Sequence, residues 1–378
     1  MSYQVLARKW RPRNFGALVG QEHVVRALRH ALEHGRLHHA YLLTGTRGVG
    51  KTTLARILAK CLNCETGVTA EPCGKCSACE EIDGGRFVDL LEVDAATNTR
   101  VDEMRQLLDT AQYAPTRGRF KVYVIDEVHM LSNSAFNAML KTLEEPPEHL
   151  KFILATTDPQ KIPVTVLSRC LQFNLKQMPA ALVAVHLARL LDAEAVPYEA
   201  DALQLLGRAA AGSMRDALSL LDQAIAHGSG SVTADSARDM LGAVDESYLQ
   251  RLLEAIAAAD AARALSIADE MQSRSLSFDA ALQDLARLLL RIATLQAIGA
   301  SSQPVEVPGT QALSDLARTL DAEFVQLCYQ IALQGREDLP LAPDEHAGFV
   351  MTVLRMLAFR PESAGAPVAS AGEASKPA

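Results

Sequence analysis

Long apolar runs are missing from this sequence. No stretch approaches the roughly 18 apolar residues of a membrane-spanning helix, and the N-terminal MSYQVLARKWRPRNFGALVG carries basic residues without an apolar signal core. Both absences lead to the expectation of a soluble, cytoplasmic protein with no membrane partner. Aromatic residues are scarce, at 5% with a single tryptophan, Trp10, so any contact with nucleic acid is expected to track the backbone rather than stack on bases. Paired cysteines are not implied either: seven thiols, an odd number without a secretory signal, favour metal or free thiols over a disulfide framework. A net charge of −8 alone speaks against a nucleic-acid binder, yet residues 1–60 carry a balance of +9, which leaves −17 for the rest.

A chain of 378 residues exceeds what one core usually organises, so two or three domains are expected. Gln21 to Glu33 has helical apolar spacing, and HAYLLTG then reads as a buried strand ending in glycine. VDLLEVDA (Val88 to Ala95), KVYVIDEV (Lys121 to Val128) and KFILATT (Lys151 to Thr157) are further strand-like runs separated by helical patterns, which implies a parallel sheet covered by helices. After Pro179 strand signals stop and Ala/Leu-rich helical periodicity continues to about Phe359. Breaks at AHGSGSVTADS and GAVDES place boundaries near 178 and 242. The expected parts are an α/β domain over 1–178, a helical segment over 179–241, a second all-α segment over 242–360 with a loop at 299–309, and a linker or tail from 361.

GTRGVGKT, comprising Gly45, Thr46, Arg47, Gly48, Val49, Gly50, Lys51 and Thr52, matches G-x-x-x-x-G-K-T and lies between a predicted strand and a predicted helix that Thr53 continues. Glycines let the backbone wrap phosphates with inward N–H groups, and the following helix N-terminus adds a positive dipole end. Lys51 would reach the β/γ-phosphates of ATP, and Thr52 would ligate Mg²⁺. In VYVIDEVH an apolar run delivers Asp126 and Glu127 to a strand end, where two adjacent carboxylates are costly unless used. Asp126 suits the Mg²⁺ shell and Glu127 suits polarising the attacking water. The plainer alternative is an acidic pair at a helix start.

Cys64, Cys73, Cys76 and Cys79 form C-x8-C-x2-C-x2-C within an insertion at about 62–82. Four thiolates in a compact loop suit a closed tetrahedral Zn²⁺ site. The ferredoxin pattern would need C-x3-C-P next, where Asp83 stands. Unliganded thiols are the other alternative. Cys61 continues the helical series Leu54, Ile57, Leu58 and is expected in the core. About 20 residues cannot bury a core alone, so metal is expected to staple the insertion.

The succession LARKWRP, LVGQEHV, GTRGVGKT, the four-cysteine insertion, VIDEVHML, KTLEEPP, ATTDPQKIP, LSRC and GSMRDALSLLDQA resembles the gamma/tau family of bacterial DNA polymerase III clamp-loader subunits, over residues 3 to about 360. The resemblance implies an AAA+ ATPase domain with a zinc-binding insertion, a small helical lid and a helical collar for oligomerisation. By the same resemblance Arg169 is an arginine finger acting on a neighbour's ATP, Thr157 is sensor 1, Arg215 is sensor 2, and Val19 and Arg11 lie near the nucleotide. It further implies that ATP binding opens a sliding clamp for loading on primer–template DNA, with hydrolysis triggering release. The implied partners are the delta and delta-prime subunits, the beta sliding clamp and further copies of this chain. Polymerase core and replicative helicase would join only if a longer tau tail followed. Without the family, Arg169 could be a surface salt bridge, Arg215 a capping charge and Thr157 a strand end.

Arg100 and Arg105, near the start of a helical pattern, and Thr165 are candidates for DNA contact, with a solvated helix face as the alternative. A branch-migration motor would lack the cysteine insertion, and a protein-remodelling AAA+ ATPase would need an aromatic pore loop that is not found between GTRGVGKT and VYVIDEVH. A non-hydrolysing scaffold is at odds with intact Lys51, Asp126, Glu127 and Arg169.

Overall fold

Near-continuous apolar runs in the central strands build a sheet that is buried on both faces there. In the computed structural model, which describes residues 4–97, 107–242, 245–274, 276–298 and 310–360, five strands are present: β1 Ala40–Thr44, β2 Leu90–Asp94, β3 Lys121–Asp126, β4 Leu150–Thr156 and β5 Leu171–Asn174. They pair in the order β2-β3-β4-β1-β5, and every pair is parallel. Successive residues point to opposite faces. Tyr41, Leu43, Val122, Val124, Ile153 and Ala155 join one core with the helices Glu22–Glu33 and Lys51–Asn63. Ala40, Leu42, Tyr123, Ile125, Phe152 and Leu154 join another with the helix Asn133–Glu144.

Several expected strand ends moved inward. The run from Val88 pairs only from Leu90, and the run from Lys121 stops at Asp126 because Glu127 turns left-handed (φ 46°) and opens a 3₁₀ turn, Val128–Met130. The run through Thr157 stops at Thr156. β5 was not expected: it is a four-residue edge strand, mostly exposed, without a continuous apolar run to announce it. Cys61 is fully buried in the core beside β1, as its spacing predicts, and burial pushes its thiol up to about 12.

The helices Ala180–Glu194, Ala200–Ala209 and Met214–His227 belong to the same contact unit as the sheet, a unit that ends at Ala237, inside the helix Ala234–Leu241. The N-terminal segment is fastened to them: the Leu6 amide donates to Asp222 at 2.9 Å, and Trp10 Nε1 donates to Glu194 at 2.8 Å. The second unit, from Arg238, is built of helices without a strand among its described residues and has its own core, with Leu282, Leu285, Leu289 and Ile292 of the helix Phe278–Ile298 packed with Phe324, Val325, Phe349 and Val353. No helix among the described residues is long and apolar enough to cross a membrane.

Candidate functional site: a nucleotide cavity and a cysteine cluster

Parallel strands present their carboxyl ends on one edge of the sheet, and there the polar residues of the sequence motifs meet. β3, β4 and β1 are neighbours, so Asp126, Thr156 and the loop from Gly45 emerge side by side. The loop turns through left-handed glycines, Gly48 at φ 77° and Gly50 at φ 104°, and the helix starts at Lys51. Gly48 also needs its missing Cβ for space: one would sit 1.8 Å from Ser213 Oγ, the N-cap of the helix Met214–His227. The Arg215 amide lies 3.4 Å from the Gly48 carbonyl. The loop and the start of the helix Met214–His227 are therefore in direct contact.

Lys51 is 6% exposed, and its ammonium donates to the carbonyls of Gly45 (2.8 Å) and Thr46 (3.0 Å). Burial lowers its pKa, while Glu127 and Asp126 oppose that shift. Thr52 Oγ1 donates to Asp126 Oδ2 at 2.7 Å, which joins the two residues expected to hold Mg²⁺. Glu127 accepts from the Thr157 amide (3.1 Å) and hydroxyl (2.9 Å), and His129 Nδ1 lies 3.4 Å from the same carboxylate oxygen. His129 also bonds Thr156 Oγ1 at 3.0 Å.

A cavity of about 1000 Å³ opens over this edge. Arg11, Val19, Arg47, Gly48, Val49, Gly50, Lys51, Thr52, Thr53, Asp126, Glu127 and Arg215 all line it, so most of the expected nucleotide residues converge. Leu18, Met178 and Met214 supply apolar wall that the motifs did not flag. Burial, followed by Arg56, lowers the pKa of Arg11. Thr157 does not line the cavity but reaches it through Glu127.

Arg169 stands apart from the cavity lining and pairs within the chain: Nη2 donates to Glu144 at 2.7 Å and Nη1 to the Thr165 carbonyl at 2.7 Å. Thr165 is exposed. Arg100 and Arg105 lie outside the described residues.

The sulfur atoms of Cys64, Cys73, Cys76 and Cys79 all lie within 4.8 Å of one another. A tetrahedral Zn–S₄ centre has sulfur edges of roughly 3.8 Å, so the cluster fits one ion after small adjustments. Burial acts to raise the Cys64 thiol, but hydrogen bonds from Thr66 and from the Cys73 amide outweigh it and bring the thiol to about 6. Burial and then the neighbouring thiols raise Cys79. Cys64 caps the helix Lys51–Asn63, and Cys79 lies in the helix Ser77–Asp83, whose Ala78 and Ile82 pack on Phe87.

A doubly covered parallel sheet with a phosphate loop and an acidic strand end on its carboxyl edge defines a P-loop nucleotide-binding fold. Family models match along the chain: DNA polymerase III, delta subunit, at residues 20–179; the DNA polymerase III clamp loader subunit ATPase lid domain at 182–230; and DNA polymerase III subunits gamma and tau domain III at 232–365. DNA polymerase III subunit tau of Escherichia coli (strain K12) is 55% identical over 365 residues, covering 96% of this chain and 56% of that protein. Subunit gamma of Buchnera aphidicola subsp. Acyrthosiphon pisum is 43% identical over 358 residues, covering 94% of this chain and 99% of that protein. The chain thus spans about half the length of the tau relatives it matches. Among solved structures, the RuvB Holliday junction branch migration motor of Thermotoga maritima superposes with a TM-score of 0.48 at 21% identity, over 65% of this chain and 79% of that one. This chain belongs to the gamma/tau family of DNA polymerase III subunits. Its fold is accordingly that of an AAA+ ATPase domain with a lid, followed by a helical region.

Proposed function

We propose that the chain is an ATP-hydrolysing motor subunit of a DNA polymerase III clamp loader, which uses ATP to open a sliding clamp and place it on primer–template DNA in the bacterial cytoplasm. The observation that carries this reading is the 2.7 Å Thr52–Asp126 contact beside a phosphate loop whose lysine lines a large cavity. Gly45 to Thr53 cradle the phosphates, Lys51 neutralises their charge, and Val19 and Arg11 border the rest of the nucleotide. Thr52 and Asp126 would hold magnesium, which would supply charge neutralisation to the phosphates. Glu127 polarises the attacking water, and Thr157 fixes that carboxylate through two donated hydrogen bonds. Arg215 enters from the lid, and Arg169 serves a neighbouring subunit's site. Partner subunits of delta and delta-prime type, the beta clamp and further copies of the chain complete the assembly. Polymerase and helicase contacts would belong to a longer tau tail. Residues 1–178, 179–241 and 242–360 act as motor, lid and collar. The cysteine module holds one zinc ion and supports protein contact, with Arg100, Arg105 and Thr165 as candidate DNA contacts.

The test is ATP turnover with and without sliding clamp and primed DNA in the assembled loader. Turnover stimulated by both together, and abolished by Lys51→Ala, is expected; near-normal turnover in that variant would refute the site.

A further inference from the structure

One buried charge in the first unit lines the cavity, with its partner Asp83, but makes its bonds away from the phosphate loop. Lys60, in the helix Lys51–Asn63, is 1% exposed. Its ammonium donates to the Arg13 carbonyl at 2.5 Å and pairs with Asp83 Oδ1 at 2.7 Å. A buried ammonium is costly unless its bonds are satisfied, so both partners are held where the lysine needs them. Their places in the chain are informative. The Lys60 carbonyl accepts the Cys64 amide at 2.8 Å, one helical turn along, and Asp83 lies one turn beyond Cys79 in the helix Ser77–Asp83. A metal ion bound by Cys64 and Cys79 would therefore cross-link the same two helices that Lys60 and Asp83 bridge one turn away. On its other side Lys60 grips the segment Trp10–Arg13, which lines the cavity.

We propose that Lys60 is a positioning residue that couples the cysteine module to the nucleoside side of the cavity, so that a metal-loaded cluster holds the Trp10–Arg13 segment in place for the nucleotide. This inference rests on the ATP reading of the cavity. The metal ties Asp83 to the cluster, Asp83 fixes the ammonium, and the ammonium fixes the Arg13 carbonyl. The phosphate loop is reached by none of these contacts, so the effect falls on the nucleoside and spares the triphosphate.

The test measures equilibrium binding of ATP and of inorganic tripolyphosphate, both with Mg²⁺, to the full chain before and after the zinc is stripped with a chelator that is then removed. Stripping is expected to weaken ATP about tenfold, within the usual range of coupling between sites, and to leave tripolyphosphate unchanged. Lys60→Met, which keeps the apolar stem and removes the charge, should bind ATP like the stripped protein and lose the difference between loaded and stripped forms. Asp83→Asn, at a partly exposed position, provides a milder second variant with the same pattern. ATP affinity independent of zinc, a full zinc effect surviving in both variants, or a parallel loss of tripolyphosphate binding would overturn the proposal. Failure of the loaded, unmodified chain to bind ATP would overturn the ATPase reading and this inference with it.

Discussion

Asp89 shows how much one buried carboxylate can organise. It is 1% exposed and accepts the amides of Thr116 (2.8 Å), Arg117 (2.7 Å) and Gly118 (2.7 Å). Burial alone would raise its pKa, but the three amides outweigh it and hold the carboxylate below its ordinary value. The pinned loop then clasps the cysteine module: Arg117 pairs with Glu81 at 2.7 Å, and Arg119 donates to the Cys64 carbonyl. Because the folded-state pKa is depressed, the stabilisation is complete above the unfolded carboxylate value near 3.9 and is lost as pH falls through the folded value. Asp89→Asn should therefore cost about 1–3 kcal/mol at neutral pH in chemical denaturation of the first unit. The difference from the unmodified chain should shrink toward zero in strong acid. A pH-independent difference would refute the charge argument. At this scale the sequence revealed the phosphate loop and the cysteines, whose identities and spacing carry their chemistry. His129, Lys60 and Asp89 were not legible, because each depends on at least one partner 23 to 47 residues away.

Helices and strands followed the sequence wherever periodicity was long. The series Leu54, Ile57, Leu58, Cys61 is buried as read. β5 escaped because a short edge strand is specified by its neighbour β1 more than by its own residues. A comparable long-range constraint sits in the second unit, where Gly335 of the helix Ala322–Asp338 faces Thr352 of the helix Glu345–Ala358. A Cβ at 335 would fall 2.3 Å from Thr352 Oγ1 and 2.4 Å from its Cγ2. Gly335→Ala should force these helices apart and lower the stability of the second unit by about 1–3 kcal/mol, the usual cost of overpacking. Adding Thr352→Ala removes both nearest atoms and should restore part of the loss. Unchanged thermal unfolding in the single variant would show that the helices can yield freely.

For the whole molecule, the question is whether Arg169 belongs to its own chain or to a neighbour. Its pairing with Glu144 joins two partly exposed side chains, 33% and 52%, and such a pair is worth about 0–1 kcal/mol. An arginine acting in trans is worth about 10³–10⁵ in rate, which far exceeds the cost of releasing Glu144. Glu144→Gln should therefore leave hydrolysis by the assembled loader intact or raise it, and a large drop would mark the ion pair as essential in itself. The decisive measurement is subunit mixing. Arg169→Ala chains keep their own Lys51 and Thr52 and should bind ATP but fail to hydrolyse it, and Lys51→Ala chains should fail through the phosphate loop. Mixed under assembly conditions with the partner loader subunits, clamp and primed DNA, interfaces that pair an intact loop with an intact finger should regain ATPase activity that neither variant shows alone. If subunit exchange is demonstrated and no activity returns, Arg169 acts within its own chain or only as a salt bridge, and the account of an assembly-gated motor is contradicted.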